Sequence, residues 1–407
     1  MESGPIRRRE FLARLVRGAA GVALGGPVVG RAVSAFAQSA PPQAPVLLSS
    51  DDDLVRNQLG SLKTETLRRP IVLERWDVLE NRRLVLAPDF GWTTEKAAVF
   101  VSAPDVTIRN VEIIGSDTWL SRWNAYEEPR SAKPGICAGM CGIRLQNAPR
   151  IRIDNVSVRG FPGAAVDGFG LYDGSIRNVT ATACFFGLVT RQYAPNAGLV
   201  IERVHVRDLW GPGAGRWPGV GGAPSRLRPG GFMGSDGIVC HSLRRAVIRD
   251  CSVTGEQFAS FKLVNPQDTE VSRLRGSSLM IQGTSDLQWK IDKEPSRNTR
   301  VRECVFDKSL GSGPFADEGN AIQVSWHVHD LSIERCTLLA SGRDGHGIQF
   351  AVDSHGRVTN CVFDGFNGTR GVTPAHAVEL ADRTCSVNAD VAAVNTFRNQ
   401  RRILLRR

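Results

Sequence analysis

One two-strand unit recurs along most of this chain. It reads Ile143…Ile151-Arg152-Ile153-Asp154-Asn155-Val156, then Val166…Ile176-Arg177-Asn178-Val179, then Leu188…Val200-Ile201-Glu202-Arg203-Val204. Where no loop intervenes the spacing is 22–23 residues: 143 to 166, 166 to 188, 238 to 261. Further units open at Ala98-Val99-Phe100-Val101 and at Ile238, Phe261, Trp289, Ile322, Ile348 and Val378. A single unit cannot bury its inner face. Stacking about ten of them makes a continuous apolar column, so the period predicts an all-β coil of parallel strands. A β-sandwich would not hold a fixed period, and the consensus of a leucine-rich repeat is absent.

The second strand of each unit carries apolar-Arg-Asn/Asp/Glu-Val/Cys, as in Ile108-Arg109-Asn110-Val111 and Ile248-Arg249-Asp250-Cys251. Over residues 98–390 this pattern resembles the right-handed parallel β-helix superfamily of pectate-lyase-like proteins. The resemblance implies a right-handed single-stranded parallel β-helix. It is specific for fold and weak for activity. Cys251, Cys304, Cys336 and Cys361 fall in one inward column with Val111, Val156, Val179 and Val204, as small buried hydrophobes would. Cys137 and Cys141 lie in an irregular stretch and could pair; further ligands for a metal there are missing.

The start of the chain reads as an address. Arg7-Arg8-Arg9-Glu10-Phe11-Leu12 is a twin-arginine signature, followed by a weakly hydrophobic run and the small-x-small site Ala35-Phe36-Ala37. Residues 1–37 are therefore expected to send a periplasmic or secreted protein out by the twin-arginine route. Residues 38–50 read as a disordered Pro/Ala/Ser tether. Asp51 to Thr64 reads as a short amphipathic helix capping the coil, within an N-terminal region 51–97 that precedes the β-helix domain 98–407. The full chain has a net charge of +10; removing six arginines and two glutamates with residues 1–37 leaves +6. That balance suits an acidic polysaccharide or oligosaccharide. It lacks the dense basic clustering of a nucleic-acid binder, and no segment after the signal is suited to a membrane.

Insertions at 116–141, 209–235 and 308–319 follow second strands and precede first strands, so they should form one wall beside the first-strand face. The first two hold Trp119, Trp123, Tyr126, Trp210 and Trp217 with Arg122, Arg216, Arg226 and Arg228. The tryptophans either stack on sugar rings or pin the loops to the coil.

Beneath that wall two outward columns can be written. One is Arg144, Asp167, Val189, Val239, Lys262, Lys290, Gln323, Gln349, Glu379. The other is Gln146, Phe169, Arg191, His241, Val264, Asp292, Ser325. Stacking Ser260-Phe261-Lys262 on Gln288-Trp289-Lys290 would put the two lysines at the spacing of neighbouring strands, about 4.8 Å. Adjacent like charges repel, so a coil with no task for them would tend to alternate sign. Lys262, Lys290, His241, Arg191 and Asp292 are the candidate catalytic residues. Arg144, Asp167 and Asp236 join the four tryptophans as candidates for substrate binding.

In β-helix enzymes acting on uronate polymers a Lys, Arg or His removes the proton beside the carboxylate, while another cation or calcium neutralises it; this is what the resemblance implies. A second ammonium would lower the pKa of the first toward that of a usable base. The leading expectation is thus a polysaccharide lyase or C5-epimerase, without a cofactor, since no carboxylate cluster suits calcium. A glycoside hydrolase is the alternative: Ser235-Asp236-Gly237-Ile238 is similar to the Asn-Thr-Asp-Gly segment of polygalacturonases. Val239 and Cys240, however, stand where paired aspartates should follow. A non-catalytic carbohydrate-binding coil is the third reading.

Overall fold

A computed structural model describes residues 62–115, 140–191, 194–207, 209, 236–255, 259–283, 295–311, 319–368 and 375–406. Their strands wind into a right-handed parallel β-helix, every neighbouring pair being parallel. Each turn has three strands. In one turn these are Ile238–His241, Val247–Arg249 and Ser252–Val253, and each pairs in register with its counterpart in the next turn. The first sheet runs from Ile71–Leu73 to Leu404–Arg406, one turn beyond the sequence units at each end. Lys63 and Thr64, expected at the end of a capping helix, open the strand Lys63–Leu67 instead, and the rest of that helix lies outside the described residues.

The recurrent motif explains the bend between second and third strands. Its third residue sits in the left-handed region: Asn110 at φ 53°, Asn155 at 54°, Asn178 at 51°, Asp250 at 57°, Asn360 at 55°. Asn and Asp tolerate that conformation better than most residues. Stacked in consecutive turns they also bond one another, Asn155 Nδ2 donating to Asn110 Oδ1 at 2.8 Å and Asn110 Nδ2 to Asn81 Oδ1 at 3.1 Å. The residue after the bend faces inward. There Val111, Val156, Val179 and Val204 give way to Cys251, Cys304, Cys336 and Cys361, all buried in the one apolar column. All the described cysteines are free thiols, and burial pushes Cys240 and Cys251 up to about 12. Cys141 is the first residue of the strand Cys141–Gln146, not part of an irregular loop; Cys137 lies outside the described residues.

The outward sides of the sheets differ. On the second sheet one column runs Glu80, Arg109, Asp154, Arg177, Glu202, Arg249, alternating sign turn by turn. Arg109 meets Glu80 at 2.5 Å, while Arg177 and Arg249 reach Glu202 from either side at 3.4 and 3.1 Å. Such partly exposed pairs contribute little each, but they avoid the repulsion of stacked like charges. The outward column of the first sheet is built differently. It is largely buried, and apolar Val189 and Val239 sit in it between charged residues.

Candidate functional site

That column is Phe100, Arg144, Asp167, Val189, Val239, Lys262, Met280, Gln323, Gln349, Glu379. The order corrects the sequence reading at one place. The neighbour of Lys262 is Met280, because the strand pairing with Phe261–Val264 is Leu279–Gln282. No second ammonium stacks on Lys262 in this register. Lys290 and Asp292 lie outside the described residues, as do Trp119, Trp123, Trp210 and Trp217. The cause is a short turn. Only 18 residues separate Phe261 from Leu279, below the usual period, and both Ser278-Leu279-Met280-Ile281 and Gln288-Trp289-Lys290-Ile291 alternate correctly for a strand.

Arg144, Asp167 and Arg191 do come together. Asp167, only 2% exposed, accepts two hydrogen bonds from Arg191, Nε at 2.6 Å and Nη2 at 2.7 Å, and a third from Arg144 Nη2 at 3.1 Å. Its carboxylate is thereby committed to the fork geometry of one arginine and the tip of another. It positions two guanidiniums rather than offering itself to a ligand.

His241 follows on the same outward side. Its in-register neighbour is Val264, so Lys262, two residues earlier, faces the same way. The backbone N–H of His241 donates to Thr190 Oγ1 at 3.1 Å, tying it to the strand that ends beside Arg191. Part of the residue reaches solvent, but the ring is enclosed and Nδ1 is buried. Burial, then Lys262, then Arg191 push the imidazole down to about 3. His241 is therefore neutral at physiological pH, with a cation on either side.

Asp236 has a structural task. It precedes the inward Ile238 by two residues, and its Oδ1 accepts the backbone N–H of Ala259, the equivalent residue one turn on, at 3.0 Å. Asn320 does the same for His346 at 2.9 Å, and His346 Nδ1 does so for His376 at 3.0 Å. This junction column was readable, since Asp236, Asn320, His346 and His376 each stand two residues before Ile238, Ile322, Ile348 and Val378. The sequence reading passed over its histidines. Because Nδ1 of His346 accepts, Nε2 carries the proton and donates to Glu379, 1% exposed, at 2.9 Å. Gln349 also donates to Glu379 and accepts from Asn320 Nδ2 at 3.1 Å. The later turns thus hold a polar network.

No protein-family model matches the chain, and no curated protein matches it. Solved structures resemble it at a distance. The Dettilon tailspike protein is 11% identical with a TM-score of 0.48, over 86% of this chain and 64% of that one, so less than two thirds of the tailspike's length is spanned. The endo-xylogalacturonan hydrolase of Aspergillus tubingensis is 11% identical with a TM-score of 0.40, over 90% and 92%. A double mutant of the periplasmic alginate epimerase is 9% identical with a TM-score of 0.38, over 84% and 78%.

Proposed function

We propose that this protein acts on an acidic polysaccharide lying along the first sheet, with Arg191 and Lys262 holding a sugar carboxylate and His241 as the base. The observation that carries the reading is the neutral imidazole of His241 between two cations. Proton abstraction beside a carboxylate needs a base and a place for the developing anion. A base held near 3 is weak. An arriving carboxylate would offset Lys262 and Arg191, the two smaller causes, so the imidazole gains some basicity when substrate is present while burial, the largest cause, stays. The role given to Lys262 thereby changes: its in-register neighbour is Met280 and not a second lysine, so it serves better as the counter-charge.

β-Elimination, giving a lyase, and re-protonation from the other face, giving a C5-epimerase, share this first step. Hydrolysis has less support, because Asp167 is committed to two arginines and Asp236 to a backbone N–H. Binding without chemistry is the second reading, favoured by the register that leaves Lys262 without a lysine neighbour. Export is part of the proposal and rests on the twin-arginine signature. Among the described residues no helix is long and apolar enough to cross a membrane.

The test is incubation of the mature protein with a panel of uronate polymers, following ultraviolet absorbance of unsaturated ends, reducing ends, and solvent hydrogen exchange at C5. Unsaturated ends or exchange that disappear in His241→Gln are expected. Reducing ends alone would overturn the reading in favour of a hydrolase. Retention on an acidic-saccharide gel with no product would leave a binder.

A further inference from the structure

Three of the seven histidines in the chain gather around one carboxylate, apart from the set of Arg191, His241 and Lys262. They stand at the corner between first and second sheets in two successive turns. His327 Nδ1 lies 2.8 Å and His329 Nε2 3.2 Å from Asp353 Oδ2, and His355 Nε2 lies 2.9 Å from Asp353 Oδ1. All four side chains are 36–38% exposed. Isolated surface polar residues do not need such an arrangement.

The backbone beneath them is unusual. Other corners of the coil use single left-handed residues, such as Asn147, Ser242 and Asn265. Here two non-glycine residues in a row are left-handed in each turn, Trp326 (63°) with His327 (58°) and Val352 (54°) with Asp353 (50°). Among the described residues no other such pairs occur. A bulky or β-branched residue in that region costs on the order of 1–3 kcal/mol, and strain of this kind collects where a side chain must be aimed. The stacked corners, joined by His327 N–H to Val352 O at 2.9 Å, aim His327 and Asp353 at each other.

We propose that His329 Nε2, His355 Nε2 and the Asp353 carboxylate bind a borderline divalent cation, zinc foremost, at this corner. These three donor atoms lie within 4.8 Å of one another, the single such group of metal-ligating side chains among the described residues. Tetrahedral zinc with ligands at about 2.0–2.1 Å separates its donors by about 3.3 Å. The His329–Asp353 and His355–Asp353 separations already have roughly that length. Imidazole and carboxylate suit zinc, nickel and cobalt better than calcium, which takes six or more oxygens.

The outer contacts are in place as well. His355 Nδ1 faces Ser386 Oγ at 2.8 Å, so with Nδ1 protonated and donating to the serine, Nε2 is left as the ligand. His327 Nδ1–H holds the carboxylate through Oδ2, at 2.8 Å. Three protein ligands leave a fourth position to water or to an anion. His355 also lines a groove of about 950 Å³ along the second sheet, whose wall carries Arg300, Arg302 and Arg357 and the carboxylates of Asp330, Glu334 and Asp390.

The test uses the full mature chain after dialysis against a chelator. Zinc bound at equilibrium should reach one equivalent, Co2+ should give visible d–d bands that zinc abolishes, and zinc should raise the melting temperature. His329→Ala and His355→Ala should each remove the Co2+ bands and the zinc-dependent shift without changing the metal-free melting temperature by more than a degree or two. Ser386→Ala should weaken zinc about tenfold. His205→Gln, on the third sheet, should bind as the parent does. Substoichiometric zinc with no Co2+ bands, or unchanged binding in His355→Ala, would overturn the proposal.

Discussion

Replacing Asp167 by asparagine separates positioning from substrate contact. The carboxylate is buried and receives three charge-assisted hydrogen bonds, at 2.6, 2.7 and 3.1 Å. Removing one partner of a buried pair costs about 3–5 kcal/mol, most of it from stranding the other charge. Here the stranded guanidiniums keep some solvent, with side-chain exposures of 17% for Arg144 and 37% for Arg191. The lower end applies, so Asp167→Asn should lose about 3 kcal/mol. Arg191→Met alone should lose less, about 1–2 kcal/mol, since Arg144 remains on the carboxylate. The double variant should fall well short of the sum, with a coupling of at least ~1 kcal/mol. Urea unfolding followed by circular dichroism gives these values if the slope with denaturant is constant across the series. A loss below about 1 kcal/mol, or additive losses, would refute the clamp. If Asp167 contacted sugar directly, its variant would lose affinity and keep its stability.

Two further outcomes are expected. His241 is held down in the folded state, so the unfolded chain binds more protons and stability falls as pH drops below about 6.5; between pH 6.5 and 5, above most carboxylates, the parent should lose up to ~1.4 kcal/mol per pH unit relative to His241→Gln, and equal pH slopes in the two would contradict the enclosed neutral ring. Cys251 replaces a column valine and is buried, so Cys251→Val should change stability by under about 1.5 kcal/mol while Cys251→Ser, burying a hydroxyl, should lose about 1–3; a melting temperature lowered by reductant would show that the thiols are not free.

The fold was legible because inward residues obey one rule in every turn. Val156, Val179 and Val204 can be aligned by eye, and the left-handed residue before each, Asn155, Asn178 and Arg203, marks the bend that lets the next strand turn inward. The charge columns were partly legible for the same reason. The second sheet alternates sign, as repulsion between neighbouring strands demands, while on the first sheet Val189, Val239 and Met280 keep the charges apart instead. The place of Asp236 in the junction column was legible, but its role was not, because its partner is a backbone N–H one turn away that no residue type announces. The cluster around Asp353 was hidden too. His327 and His329 stand 24 or more residues from it in sequence, and they meet only because the corners stack.

The one error of register is the most instructive. Strand alternation cannot distinguish Leu279-Met280-Ile281 from Trp289-Lys290-Ile291, and the period of 22–23 residues falls between the 18 and 28 that they imply. Burial decides. Leu279 and Ile281 occupy the inward column between Phe261 and Leu263 on one side and Ile322 and Val324 on the other, all at most 1% exposed. Slipping to the later segment would ask the same cavity to take an indole in place of Leu279, an overpacking that costs about 1–3 kcal/mol or more. A cross-link tests this directly. In-register residues of neighbouring strands lie about 4.8 Å apart, within the range that a disulfide spans. Lys262→Cys with Met280→Cys should therefore oxidise to an intramolecular disulfide, seen as one linked peptide by mass spectrometry. Lys262→Cys with Lys290→Cys should not do so at a comparable rate. Faster bonding of the second pair would overturn the register, return a second ammonium to Lys262, and make Lys262 rather than His241 the better base.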